Sequence, residues 1–272
     1  MSLPPAFLIT VATVFGLVIG SFLNVVAYRV PAGIPLVRES RCPGCDAAVK
    51  WYQNLPVLSW FLLRGRCAAC GGPISVRYPI VEAVTGAAFG VVAWFVPLTM
   101  PLPTGALFAV LAAFWWFAAV SVVLVLIDLD TRRLPDVIVL PSYLVGGVLL
   151  TLACLLGADW GALLRAGIGM AALYGFYALL RFVRPDGMGG GDVKLAGVAG
   201  LYLGWLGWGP LAVGALAAFL LGGVFGIALL ASGRATRRTA IPFGPWLLVG
   251  AWLGVLAGAQ IGQLYGGLYG LT

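Results

Sequence analysis

Two aspartates stand where this chain can least easily keep a charge. Asp128 closes an apolar run in Ile127-Asp128-Leu129-Asp130-Thr131-Arg132-Arg133-Leu134-Pro135-Asp136, and Asp192 opens another in Gly187-Met188-Gly189-Gly190-Gly191-Asp192-Val193-Lys194. The 272 residues include nine Asp plus Glu and no histidine, and 62% of them are hydrophobic. With a mean hydropathy of +1.05, most of the chain belongs in a bilayer, where an ionisable group marks a functional site by default. The lack of histidine excludes Ser/His/Asp and Cys/His catalysis and every histidine-ligated metal. Paired carboxylates remain as the acid–base machinery.

Two close carboxyls tend to share one proton. One can then act as a base towards water while the other protonates or polarises a peptide carbonyl, the chemistry of aspartic proteases. The glycines before Asp192 would let an extended backbone approach closely. The same residues also fit blander roles. Asp130 and Asp136 could be solvated loop residues, or Asp136 an N-cap for the following helix. The glycine run could be a flexible turn, and it lacks the GxxxxGK[ST] pattern of a phosphate cradle. Asp128 and Asp192 could pair with Arg133 or Lys194, or serve a proton-coupled transporter. Peptide hydrolysis, transport and structural pairing all remain open on spacing alone.

The second set of chemically capable residues is Cys42-Pro43-Gly44-Cys45 and Cys67-Ala68-Ala69-Cys70, with 21 residues between the pairs. Each short turn aims two sulfurs at one point, so Cys42, Cys45, Cys67 and Cys70 suit a tetrahedral structural zinc with no open position for substrate. A redox or disulfide pairing, disfavoured in a reducing cytosol, and another metal or none are the lesser alternatives. The spacer slightly exceeds the usual range of roughly 15–20 residues. Cys154, isolated in an apolar stretch, reads as a buried apolar residue.

The elements that must position these groups are apolar helices. Crossing a hydrocarbon core takes about 20 apolar residues, and eight stretches qualify at about 6–27, 80–96, 107–127, 137–156, 162–182, 195–206, 211–231 and 245–264. The sixth is the shortest and richest in glycine. The first has no Lys or Arg ahead of it and exceeds the usual h-region of a signal peptide, so it reads as a retained helix. Seven basic residues lie in 28–79. Others cluster at Arg132 and Arg133, at Arg181, Arg184 and Lys194, and at Arg234, Arg237 and Arg238. The intervening loops carry none, and Arg165 is the one exception. By the positive-inside rule the basic loops are cytoplasmic and both termini are outside. The net charge of +7 is therefore a topology signal, and no nucleic-acid partner is expected. Two crossings separate Asp128 from Asp192, which places both on the cytoplasmic side.

Taken together, the motifs carry a resemblance. Gly20-Ser21-Phe22-Leu23-Asn24-Val25-Val26-Ala27-Tyr28-Arg29, the two cysteine knuckles, Trp51-Tyr52-Gln53-Asn54-Leu55-Pro56-Val57-Leu58-Ser59-Trp60, Arg77-Tyr78-Pro79-Ile80-Val81-Glu82, the Asp128 segment and Gly189-Gly190-Gly191-Asp192-Val193-Lys194-Leu195 occur in one order over about 20–250. This set resembles the prepilin peptidases, or type IV leader peptidases, and its last block matches their GxGD signature. The resemblance implies an inner-membrane enzyme that cleaves the leader from type IV prepilins or type II secretion pseudopilins after a glycine. It would then methylate the new N-terminus with S-adenosylmethionine. The family's catalytic aspartates map to Asp128 and Asp192, with Asp130, Asp136 and Lys194 as neighbouring support positions. The expectation is an all-α polytopic membrane protein of about eight helices. It comprises a first helix (1–27), a small cytoplasmic four-cysteine zinc module (28–79) and a seven-helix peptidase domain (80–272). A transporter using the same two acids is the rival, and a non-catalytic zinc-stabilised scaffold is a weaker third reading.

Overall fold

The structure is a computed structural model and describes residues 4–233 and 242–268. The basic cluster Arg234, Arg237 and Arg238 lies outside the described residues. Among those described, every regular element is helical. The helices are α1 (Pro5–Arg29), α2 (Leu58–Leu62), α3 (Arg77–Thr99), α4 (Thr104–Thr131), α5 (Asp136–Leu155), α6 (Trp160–Val183), α7 (Gly190–Leu206), α8 (Trp208–Ala231) and α9 (Gly244–Leu268). Seven of them, all but α2 and α7, are long and apolar enough to cross a membrane. The chain is thus an all-α integral membrane protein.

Two compact units emerge. The first comprises residues 1–101 with 114–126, and the second 102–113 with 127–272. Lipid offers helices no hydrophobic incentive to associate, so small residues that let backbones meet decide the packing. In the first unit α1 pairs with α3 through glycines spaced by four on each helix, Gly16 and Gly20 against Gly86 and Gly90. A Cβ on Gly20 would stand 2.7 Å from the Glu82 Cα, and one on Gly16 would stand 2.9 Å from the Gly86 Cα. In the second unit α6 packs on α7 and α8 on α9. A Cβ on Gly169 of α6 would reach 2.6 Å from the Gly200 carbonyl oxygen of α7.

Helix α7 explains why the sixth apolar stretch is short. Its 17 residues rise about 25 Å at 1.5 Å each, less than a hydrocarbon core of about 30 Å. It is wrapped by α5, α6, α8 and α9, and every residue from Leu195 to Trp205 is buried. Protein rather than lipid covers it, so length is not demanded. The exceptional basic residue, Arg165 of α6, closes its C-terminus. Nε donates to the Gly204 carbonyl at 2.9 Å and Nη2 to that of Trp205 at 3.1 Å. These carbonyls lack intrahelical partners, which gives Arg165 a structural reason to sit in an otherwise uncharged stretch.

Several boundaries move relative to the sequence expectation. Asp128 does not end its helix. α4 continues through Asp130 to Thr131 and stops where Arg132 turns left-handed at φ 54°, its N–H capping the Asp128 carbonyl. Asp130 is therefore helical rather than a loop residue. Asp136 is the first residue of α5 rather than its N-cap, a place taken by Pro135. There its negative charge still favours the positive end of the helix.

Candidate active site and metal centre

Asp128 and Asp192 both belong to the second unit. Asp128 lies in the last turn of α4 and is 4% exposed, whereas Asp192 is half-buried in the first turn of α7. The Asp192 carboxyl feels the charge of Asp128. Their environments converge on Leu134, in the loop between α4 and α5. A Cβ on Gly191 would meet the Leu134 Cβ at 2.7 Å, and one on Gly244 would meet the Asp128 Oδ2 at 2.7 Å and the Leu134 Cδ1 at 3.5 Å. One apolar side chain and two bare glycine backbones therefore line the space between the acids.

Two helix N-termini orient the pair. Gly189 is the N-cap of α7, and its backbone N–H interacts with the carboxylate of Asp192 at position N3, half of a capping box. Gly244, the first residue of α9, turns its N–H to the Asp128 carboxyl. Both acids thus sit where helix dipoles favour negative charge. Asp128 Oδ2 is buried without a hydrogen-bond partner, and a buried acceptor left unmatched usually has a functional explanation.

Sequence alone also left Asp136 and Lys194 without a role. Lys194 Nζ donates to both oxygens of Asp136 at 2.7 Å, and the Tyr143 hydroxyl of α5 donates to the Lys194 carbonyl. Lys194 lies two residues beyond Asp192, while Asp136 begins the helix after the Asp128 loop. The pair therefore ties together the two segments that carry the acids. Neither Asp128 nor Asp192 is ion-paired with Arg133 or Lys194, as one structural reading allowed.

The cysteines converge in the first unit. All four sulfurs lie within 4.8 Å of one another, with Cys42 and Cys70 at 3.9 Å. Zinc–sulfur bonds of about 2.3 Å in a tetrahedron put sulfurs about 3.8 Å apart, so the cluster fits a metal. The knuckles are built alike. Cys42 N–H donates to the Ala47 carbonyl at 2.9 Å and Cys67 N–H to that of Gly72 at 2.8 Å. Each turn closes on a left-handed residue, Asp46 in one and Gly71 in the other. The N–H groups of Cys70 and Ala69, with help from Cys42, bring the Cys67 thiol down to about 6. Such donors favour the thiolate that a metal requires.

The Bacterial Peptidase A24 N-terminal domain matches residues 14–96, and the Type IV leader peptidase family matches 115–227. A prepilin leader peptidase/N-methyltransferase of Stutzerimonas stutzeri is 36% identical, covering 96% of this chain and 94% of its own. Proteins of the same description from Pseudomonas putida and Pseudomonas aeruginosa are 36% and 32% identical over the same shares. This chain belongs to the type IV leader peptidase family. No solved structure matches it.

In this family member three residues join the carboxyl pair without any sequence signal of their own. Gly244 and Leu134 do so by proximity. Tyr177 of α6 lies close enough to Asp192 to feel its charge, and it is fixed in an aromatic cluster with Phe219 and Phe243 at centroid distances of 5.2 and 6.0 Å. Only the proline and glycine punctuation of Pro242-Phe243-Gly244-Pro245 hinted at the start of α9.

Proposed function

We propose that this chain is a membrane aspartic endopeptidase that removes the leader from type IV prepilins or type II secretion pseudopilins at the cytoplasmic face of the inner membrane. It then N-methylates the exposed residue with S-adenosylmethionine. The observation that carries the peptidase reading is the charge coupling of Asp128 and Asp192 in an apolar setting, with one Asp128 oxygen buried and unmatched.

One proton shared between the acids suffices for both halves of the reaction. The ionised carboxyl takes a proton from water, whose oxygen attacks the scissile carbonyl carbon. The protonated carboxyl gives its proton to the carbonyl oxygen. Collapse of the tetrahedral species breaks the C–N bond, the amine leaves with a proton, and the pair returns to its singly protonated state. Gly191 and Gly244 let their backbones pack directly against Leu134 and the Asp128 carboxyl, where any side chain would collide.

We assign Cys42, Cys45, Cys67 and Cys70 to a structural zinc, because four sulfurs leave no position for a substrate. The working division is a first helix at 1–27, the zinc module at 28–79 and the peptidase domain at 80–272. S-adenosylmethionine, when bound, would supply an electrophilic methyl group to the new amine.

Incubating the purified protein with a prepilin and a labelled methyl donor, then sequencing the product, tests both steps. A product shortened at a glycine and labelled at its new N-terminus is expected. An intact prepilin overturns the peptidase reading and leaves proton-coupled transport as its replacement.

A further inference from the structure

One buried carboxyl of the first unit belongs to neither the acid pair nor the cysteine cluster. Glu82 of α3 is 6% exposed, and an ionisable group at membrane depth is expensive. It takes a hydrogen bond from the Ser21 side chain of α1, and its Oε2 accepts the Val57 N–H at 2.7 Å. Val57 lies in the 28–79 segment, which the charge pattern assigns wholly to the cytoplasm. The register of α1 on α3 fixes how deep this contact is. Gly20 faces Glu82, where a Cβ would stand 2.7 Å from the Glu82 Cα, and Asn24 Nδ2 donates to the Tyr78 carbonyl at 3.2 Å. On this side the apolar stretches of the two helices end at Ala27 and Ile80. At 1.5 Å per residue, Ser21 lies about 9 Å and Glu82 about 3 Å inside those ends. Val57 is therefore held inside the hydrocarbon boundary rather than in the cytoplasm.

The chain around Val57 is built as that depth requires, with its backbone donors met inside the protein. Pro56 has none to offer. Val57 gives its N–H to Glu82, Leu58 to the Pro56 carbonyl at 2.6 Å and Ser59 to the Leu55 carbonyl at 3.0 Å. The Leu58 bond closes a three-residue turn on Val57, whose φ of 61° and ψ of −50° are those of the rare, strained γ-turn. The chain reverses sharply there. Just before it, Asn54 and Pro56 line a cavity with Val18, Phe22 and Val25 of α1, all inward of Arg29. By Trp60 the chain has risen again, since its Nε1 donates to the Ile74 carbonyl at 3.1 Å, ahead of the first residue of α3.

The turn leaves apolar side chains uncovered. Trp51, Tyr52, Leu55 and Leu58 are exposed, Leu58 by 63%. Lys50, Arg64 and Arg66 flank them, and no acid occurs between Asp46 and Glu82. Apolar groups at this depth, bracketed by cations, match a bilayer interface, where aromatic rings sit at headgroup level and Lys and Arg meet lipid phosphates. We propose that residues 54–58 form a re-entrant turn inserted in the cytoplasmic leaflet. Leu55 and Leu58 lie among the acyl chains, Trp51 and Tyr52 at the headgroups, and Lys50, Arg64 and Arg66 on the phosphates. Glu82 anchors the turn by holding the Val57 N–H, which gives a reason for an acid in a membrane-spanning helix. The cysteine knuckles, one on each side of the turn in sequence, are thereby kept at the membrane surface.

The test is to place the full-length protein in phosphatidylcholine–phosphatidylglycerol vesicles containing a lipid with a diazirine on its acyl chain, irradiate, and map the adducts by mass spectrometry. Adducts are expected within 51–58 as well as on the exposed α1 residues Phe15 and Val18. Adducts on α1 with none in 51–58 overturn the insertion and give the apolar face to a protein partner instead. Glu82→Leu removes the acceptor of the Val57 N–H and should lower labelling of 51–58 several-fold while Phe15 and Val18 label as before. Glu82→Gln, whose amide oxygen still accepts that N–H, should retain the labelling. Equal labelling of 51–58 in folded Glu82→Leu overturns the role of Glu82 as anchor. Melting checks that each variant folds, and the map on the unaltered protein decides the insertion independently of any variant.

Discussion

Asp128 and Asp192 reach one another from a helix end and a helix beginning, and neighbouring groups dictate how each behaves. Replacing either with asparagine keeps the shape but removes the proton that must cycle. Asp128→Asn and Asp192→Asn should each lower the rate of leader cleavage by about 100-fold or more, and the double variant should be little worse than either, because the acids act as a unit. Asp159→Asn is a fair control, since Asp159 caps α6 through the N–H groups of Gly161 and Ala162 and asparagine caps almost as well. Gly244 offers a subtler test. A methyl group there would stand 2.7 Å from Asp128 Oδ2, too close for the carboxyl to hold its place. Gly244→Ala should reduce kcat about 10-fold or more, as sub-ångström to 1 Å misplacements do, with a small effect on melting. Unchanged turnover would remove Gly244 from the site. The acids and cysteines were legible in the sequence because their residue types are rare in lipid and can do chemistry. Gly244, Leu134 and Tyr177 were not, because an apolar or bare backbone position acquires a role only through the packing of distant helices.

At the scale of elements, chemistry depends on how segments are tied. The Asp136–Lys194 pair joins the start of α5 to the start of α7, with side chains 54% and 34% exposed. Ion pairs this exposed contribute at most about 1 kcal/mol to stability, so an effect on activity larger than that on stability would mark a positioning role. Lys194→Met should lower kcat several-fold with KM and melting nearly unchanged, and Lys194→Arg should restore most of the loss. Equal losses in stability and rate would reduce the pair to a structural tie. The knuckles make a parallel case. They have almost no regular structure, only two isolated bridges, Arg41 with Ala48 and Arg66 with Pro73, so the proposed metal would supply much of their folding energy. Purified protein should contain about one zinc, and serine at any one of Cys42, Cys45, Cys67 or Cys70 should lower occupancy and make 28–79 protease-sensitive. Cys154→Ser should do neither, since Cys154 is buried in α5. Spacing made these knuckles readable, down to the four sulfurs that converge. It could not reveal that α4 runs past Asp128, because what ends that helix is a left-handed arginine rather than a residue with a strong stop signal.

For the molecule as a whole, charge alternation makes the sharpest structural claim. Helix count was legible because a lipid-facing helix must be both long and apolar. α7 was the weak case for a physical reason, being buried in protein and so released from that demand. Asp128 and Asp192 are separated by α5 and α6 alone, so they share a side whether or not α7 spans the full core. The positive-inside rule assigns that side to the cytoplasm. Single reporter cysteines in a background lacking Cys154 test this directly, provided the metal protects the knuckles. Leu62→Cys, at a position 77% exposed, and Arg133→Cys, in the loop between α4 and α5, should resist an impermeant thiol reagent added outside intact cells and react once the membrane is opened. Pro101→Cys, between α3 and α4, should react from outside at once. Reaction of all three in intact cells would break the alternation. Reaction of Arg133→Cys alone would put the acid pair on the outer face, where a leader held in the cytoplasm could not reach it, and the proposed peptidase would lose access to its substrate even with its carboxyls intact.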